Sequence, residues 1–245
     1  MRQTRFLKLG ERIVEMNSFK GFDRDTFLML AENSFNDSKS YYDSVKETLK
    51  QKATVPMRNI CADLAPQLFE IDNLMNLIPV KMVSRIRRDT RRAKNMNMYR
   101  DNIWCMFMRH KYEWNYQPCM WFEVMPGCYS IGVGMFRTDA AYLEKYREVF
   151  EENQKEFKTA LKSVYSVGAV DVLERYAKDK PGEVQKDLVD YYNAKSLYFI
   201  KSSFDLEPLF DGSVLKELRE TIEAYAPMYK FFLKVTEKTI SEKGR

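Results

Sequence analysis

Between Ser84 and Lys94 the sequence sets Arg85, Arg87, Arg88, Arg91, Arg92 and Lys94 around a single carboxylate, Asp89. Guanidinium groups offer planar, paired N–H donors that match the oxygens of phosphate and carboxylate. The chemistry this stretch suits is the capture of an anion. Asp89 falls between Arg87 and Arg91 and is placed to orient them, leaving the other positive charge for a ligand. As a catalytic base it is a weak candidate, because surrounding cations lower a carboxylate's pKa. Two plainer readings compete: pairing with acids from neighbouring helices, worth about 0–1 kcal/mol per exposed pair, and a solvated edge strand.

Other residues suited to chemistry are sparse. His110 is the only histidine, and its neighbours Arg109 and Lys111 suit an exposed turn rather than a general base with an orienting partner. Cys61, Cys105, Cys119 and Cys128 form no C-x-x-C pair, so no metal site and no cofactor is expected. Gly132-Val133-Gly134 lacks the third glycine and the strand–turn–helix setting of a dinucleotide fingerprint, and reads as close backbone packing. There is no G-x-S-x-G, H-E-x-x-H or Walker A sequence. Tyr99, Trp104, Phe107, Tyr112, Trp114, Tyr116, Trp121 and Phe122 follow the basic stretch. Interleaved aromatic and basic residues can stack single-stranded nucleic acid, but no RRM or helix-turn-helix signature accompanies them, and aromatics on half-buried strands usually form core.

The elements that must position the arginines follow from periodicity. Thr4 to Met16 reads as a short helix interrupted by Gly10. Asp23 or Asp25 caps a helix through Phe27, Leu28 and Leu30. Helical spacing returns at Tyr42, Val45, Leu49, Ile60, Leu64, Leu68 and Ile71, with Pro56 starting a second helix or kinking a long one. After Pro79 the period changes to two, and a strand is expected over Val80 to Thr90. In a regular strand Arg85, Arg87, Asp89 and Arg91 share one face, and Arg88 points away unless a bulge re-aims it. Tyr99 to Met108 and Met120 to Val124 read as strands, and Pro126-Gly127 as the turn of a hairpin that continues through Tyr129 to Phe136.

Thr138 or Asp139 opens a helix buried along Leu143, Tyr146, Phe150, Phe157 and Leu161. Lys178 to Gly182 is a charged loop, Leu188 to Tyr192 a short helix, and Lys195 to Phe204 a last strand. A terminal helix runs through Leu215, Leu218, Ile222, Tyr225, Tyr229 and Phe232. Runs of helix on either side of grouped strands predict an α+β fold, a mainly antiparallel central sheet packed with N-terminal and C-terminal helices. One domain over residues 1–245 is expected, with 1–21 as an extension.

Hydrophobic residues at 45% supply enough apolar surface for a core. The net charge of +5 is modest, so the local cluster matters more than the total. Few cysteines and no signal-peptide pattern point to a reducing cytoplasmic setting. No run approaches the ~18 apolar residues of a membrane span, so no membrane association is expected.

On these residues the chain resembles the conserved hypothetical proteins grouped as domain of unknown function 2461, over Phe22 to Ile240. Arg85-Ile86-Arg87-Arg88-Asp89-Thr90-Arg91 is similar to that family's R-I-x-R-D-T-R pattern. Asn36-Asp37-Ser38-Lys39 with Tyr41-Tyr42, Tyr99-Arg100, Trp121-Phe122-Glu123-Val124, Gly132 to Phe136, and Ala194-Lys195-Ser196-Leu197 support the match. Arg92-Ala93-Lys94-Asn95-Met96 departs from its Phe-Ser-Lys-Asp-Lys, and Met98 stands where proline is usual. The resemblance implies an intracellular α+β protein with no assigned activity. It singles out Arg85, Arg88, Asp89 and Arg91 and demotes Arg92 and Lys94.

The reading that follows is a protein that binds a phosphate- or carboxylate-bearing small molecule through Arg85, Arg88 and Arg91, oriented by Asp89. Lys94, Arg100 and Lys195 are outer contacts, and Tyr99 is a further ligand-binding candidate. Nucleic-acid binding and a purely structural role are the alternatives, and whether the protein is an enzyme stays open.

Overall fold

Apolar residues recurring every three to four positions build most of this chain, and they do so as helices. A computed structural model of the protein describes residues 5–9, 12–16, 19–89, 96–110, 116–135 and 138–243. The fold is α+β, a five-stranded antiparallel sheet flanked by helices. Its strands are β3 (Ile103–Phe107), β4 (Cys119–Met125), β5 (Cys128–Met135), β6 (Val170–Arg175) and β7 (Ala194–Ser203), in the order β3-β4-β5-β7-β6. The hairpin expected at Pro126-Gly127 is β4–β5, and Gly127 takes the positive φ of +84° that its turn requires. No helix among the described residues is long and apolar enough to cross a membrane.

The chain divides into two compact units. The first comprises Met1–Phe107, Phe122–Ser130 and Ser202–Arg219. It begins with an antiparallel pair, β1 (Arg5–Leu9) and β2 (Arg12–Met16), whose register pairs the backbone of Leu7 with that of Val14. This replaces the short helix expected over Thr4 to Met16. So short a helix is marginal in water, and β-branched Ile13 and Val14 favour extended backbone.

Helix α1 (Thr26–Asn36) follows Asp25, and Asp37 ends it in the left-handed region at φ 42°. In α2 (Lys39–Leu49) the Ser38 hydroxyl accepts from the backbone N–H of Tyr41. A single π-helical turn, Lys50–Thr54, then leads into α3 (Val55–Ile71), with Pro56 in its first turn. Pro56 thus both starts a helix and distorts the one before it. Leu30, Leu49, Ile60, Leu64 and Leu68 are fully buried.

The strand expected over Val80 to Thr90 is not regular. Pro79 opens a helical turn, α4 (Pro79–Met82), and only Val83 and Arg87 then make isolated antiparallel bridges, to Cys105 and Tyr99. Four steps separate the bridged residues on one side and six on the other, so two extra residues bulge from the 99–105 side. Thr90, Arg91, Arg92 and Lys94 lie outside the described residues.

The second unit comprises Met108–Trp121, Ile131–Lys201 and Glu220–Arg245. The Asp139 carboxylate caps α5 (Ala140–Glu152), accepting from Tyr142 N–H at 2.9 Å. Asn153 separates α5 from α6 (Gln154–Ser166), and Leu143, Tyr146, Phe150, Phe157 and Leu161 are buried as expected. Strand β6 was not anticipated. It is largely exposed, so it lacks the apolar alternation that reveals half-buried strands. It pairs with β7 with an irregularity between Glu174 and Arg175. Short α7 (Val189–Tyr192) precedes β7, and α8 (Glu207–Asp211) belongs to the first unit. The last helix is α9 (Val214–Lys243). Gly132 and Gly134 on β5 leave room for the Trp121 ring and for Tyr198 on β7, where any Cβ would collide. Their role is close packing.

Candidate anion-binding site

Residues 83–88 and 98–105 of the first unit run antiparallel, and the hydrogen bonds between them decide where each arginine points. Ser84 N–H donates to Trp104 C=O at 2.8 Å, Arg100 N–H to Ile86 C=O at 2.9 Å, and Arg88 N–H to Met98 C=O at 2.8 Å. Ile86 therefore opposes Arg100, and Arg88 opposes Met98. Side chains directly opposite in a ladder share a face, and diagonal neighbours stand about 7–8 Å apart, within reach of long side chains. Arg88 and Arg100 are such a diagonal pair.

Exposure follows this alternation. Ser84 and Ile86 are buried, Arg85, Arg87 and Asp89 are exposed, and Arg88 and Arg100 are half-buried. The arginines thus divide. Arg85, Arg87 and Asp89 face outward, while Arg88 turns inward beside Arg100.

The electrostatics of the inner pair are distinctive. The Nε–H of Arg88 and that of Arg100 are both sealed from solvent with no hydrogen-bond partner among the described residues. Neither guanidinium is ion-paired among the described residues. Burial lowers the pKa of Arg100, the Arg88 charge lowers it further, and the Glu123 carboxylate opposes both. Arginine stays protonated regardless, so two cations share a partly desolvated spot.

Among the described residues, Glu123 is the acid that acts on Arg100. It lies on β4 between buried Phe122 and Val124. Burial raises its pKa, while the hydrogen bond from Asn102 and the charge of Arg100 pull it back. Asn102 Nδ2 donates to Glu123 at 2.5 Å, and Asn102 Oδ1 is buried and unpartnered. Asn102 can reach Glu123 because it sits in the bulge, outside the regular ladder. The Arg100 guanidinium also lies 5.9 Å from the centre of the Trp104 ring.

The turn between α1 and α2 fixes the 98–100 segment. Asp37 accepts from Tyr99 N–H at 3.0 Å, and the Ser34 hydroxyl donates to Tyr99 C=O at 3.1 Å. Asn97 donates to Ser34 C=O at 2.9 Å. The buried Tyr99 ring stacks on Tyr42, with centroids 4.5 Å apart. Burial raises the Tyr42 pKa, and the positive charge of Arg87 acts against that rise. Three separate stretches, 34–42, 83–88 and 97–100, therefore meet at one place. Tyr99 acts as its keystone rather than as an accessible contact.

Lys195 belongs to the second unit, where it lies 3.5 Å from Glu174 and over the Tyr176 ring. Asn102 and Glu123 were not singled out from sequence as site residues. A lone acid alternating inside Cys119-Met120-Trp121-Phe122-Glu123-Val124-Met125 was the available signal for Glu123. Asn102 depends on the bulge, which no local pattern announces. His110 is exposed, all four cysteines are free thiols, and among the described residues no group of three His, Cys, Asp or Glu side chains is arranged to hold a metal.

No curated protein is similar enough to the chain to count as a relative. The family described as "Conserved hypothetical protein (DUF2461)" matches residues 25–231, a span that contains the bridged arginine segment, the Asp37 turn, Tyr99-Arg100 and Glu123. The chain belongs to that family.

Proposed function

We propose that the protein binds a small molecule bearing a phosphate or carboxylate group, with Arg88 and Arg100 as its principal contacts. The observation that supports this most is the unpaired, half-buried state of both guanidiniums, each with its inner N–H sealed off. Two adjacent cations, neither ion-paired among the described residues, repel each other. An arriving anion relieves that repulsion and takes the outward N–H donors in charge-assisted hydrogen bonds. Arg85 and Arg87 supply an outer positive field that draws anions in, Asp89 is proposed to orient them, and Arg91 remains a proposed contact from the adjoining stretch. The low cysteine content supports a reducing cytoplasm as the setting.

Calorimetric titration with a panel of nucleotides and phosphorylated or carboxylated metabolites tests this. Each charge-assisted hydrogen bond is worth about 1.5–3 kcal/mol. Arg88→Gln and Arg100→Gln should therefore each weaken the best binder by about tenfold or more, and outward-facing Arg85→Gln should weaken it much less. Equal, weak binding by wild type and both inner variants would defeat the reading. If oligonucleotides bound instead, with affinity falling about 0.7–0.9 log units per log salt for each phosphate contacted, a nucleic-acid role would replace it.

A further inference from the structure

In the second unit three cations converge on one aromatic ring. Lys180 Nζ lies 4.6 Å from the centre of the Tyr176 ring, Lys195 Nζ 5.2 Å and the Arg147 guanidinium carbon 6.0 Å. They come from three different elements: the charged loop after β6, the start of β7 and the middle of α5. We propose that this cluster is a second anion site, binding a phosphoryl group at the hydroxyl edge of Tyr176. It shares no residue with the arginine pair and does not depend on the reading given for that pair.

The cluster is held in place. Tyr176 N–H donates to Asn193 C=O at 3.0 Å, and Lys180 N–H donates to the Asn193 side-chain oxygen at 2.7 Å. Asn193 is itself buried and donates to Val189 C=O at 2.8 Å. Farther along the loop, the Tyr192 hydroxyl lies within hydrogen-bond reach of both the Glu151 carboxylate and the Pro181 carbonyl, and its one proton can serve either. Gly182 passes so close to Tyr192 and Glu151 that a Cβ there would collide with both. Residues 176–182 are thus pinned at several points.

The charges are arranged to receive an anion. An aromatic face is electron-rich and its edge electron-poor, so cations over the face and an anion at the edge both gain. Cation–π contact eases the repulsion among the three cations without using their N–H donors. The nearby acids are largely occupied elsewhere. Asp179 and Asp190 both pair with Arg175, Glu151 accepts from Tyr192, and Glu174 makes a long contact of 3.5 Å with Lys195. Arg147 and Lys180 have no ion pair among the described residues, and one terminal nitrogen of Arg147 is buried without a partner. The Tyr176 hydroxyl has no hydrogen-bond partner among the described residues and adds a neutral donor at the ring edge. Donors approaching from several directions suit a tetrahedral group better than a planar carboxylate, which is why phosphoryl is the class assigned.

The test is a titration of the full chain with inorganic phosphate and, separately, phenyl phosphate, followed by amide chemical-shift changes. Saturable shifts should appear at residues 176–182 and 193–195. Tyr176→Phe, which keeps the ring and removes only the hydroxyl, should weaken the response there by about tenfold. Lys180→Gln should weaken it similarly, and Arg88→Gln should leave it unchanged. Tighter binding of phenyl phosphate would identify an ester as the ligand, and equal binding would identify the free ion. The proposal is overturned if saturating phosphate leaves residues 176–182 and 193–195 unshifted. It is equally overturned if their shifts survive both Tyr176→Phe and Lys180→Gln in proteins whose spectra show a native fold.

Discussion

Arg88 and Arg100 differ from the arginines beside them in how much water reaches the guanidinium. Each has lost solvent from its inner N–H without gaining a partner among the described residues, a cost that folding normally avoids. Glu123 is the local counterweight, and its protonation should report on the pair. Burial is the main cause that lifts its pKa above the ordinary 4.5. The unfolded chain then loses this proton at lower pH than the folded one does. Glu123 therefore favours folding below about pH 4.5, and that contribution is lost as pH rises through the folded value. Glu123→Gln should gain stability relative to wild type on going from acid to neutral pH, measured by urea unfolding at several pH values; a pH-independent difference would count against a buried, titrating carboxyl. An anion bound beside Arg100 disfavours the Glu123 carboxylate, so binding should also tighten as pH falls.

Among the elements, the junction between α2 and α3 shows how a local backbone fault becomes a tertiary contact. Pro56 cannot donate to the carbonyl four residues earlier, that of Lys52. The preceding π turn closes with Val55 N–H on Lys50 C=O, and the freed Lys52 carbonyl accepts from the buried Thr26 hydroxyl at 3.3 Å. Thr26→Val keeps the shape and removes that donor. It should cost about 1–3 kcal/mol in equilibrium unfolding, whereas an unchanged midpoint would show that the carbonyl finds another donor. Much at this scale was legible beforehand: the Asp139 cap, the Pro126-Gly127 hairpin, the disturbance at Pro56 and the buried stripe from Leu143 to Leu161 all follow from short-range chemistry. What escaped were features set by pairing across long separations. The register offset between Val83–Cys105 and Arg87–Tyr99 breaks the strand expected over Val80 to Thr90, and the exposed strand β6 takes its hydrogen bonds from β7. In the candidate site, the inward turn of Arg88 was visible in the alternation. Its pairing with Arg100 and the approach of Asn102 to Glu123 required the bulge.

For the molecule as a whole, both proposed sites act through the same linkage: an anion that binds only the folded chain raises its stability in proportion to the logarithm of its concentration. Phosphate also stabilises proteins in general by exclusion from their surfaces, so wild type alone cannot reveal specific binding. The combined variant Arg88→Gln/Tyr176→Phe can. In phosphate, compared with chloride at equal ionic strength, its melting temperature should rise less than that of wild type. Equal rises would leave only the general salt effect. The modest net charge of +5 conceals how locally the positive charge is spent.

The contact between Arg100 and Trp104 has an optical side. Indole emission responds to the local electric field, and a guanidinium 5.9 Å from the ring centre is a strong fixed source of one. With only three tryptophans in the chain, Trp104, Trp114 and Trp121, a change at one of them is resolvable against the others. If an anion binds at Arg100 as proposed, the field at Trp104 should change, and a shift in its emission during the titration checks this. The protein thus carries a built-in chromophore at its candidate site, through which unlabelled compounds can be screened by fluorescence colour alone.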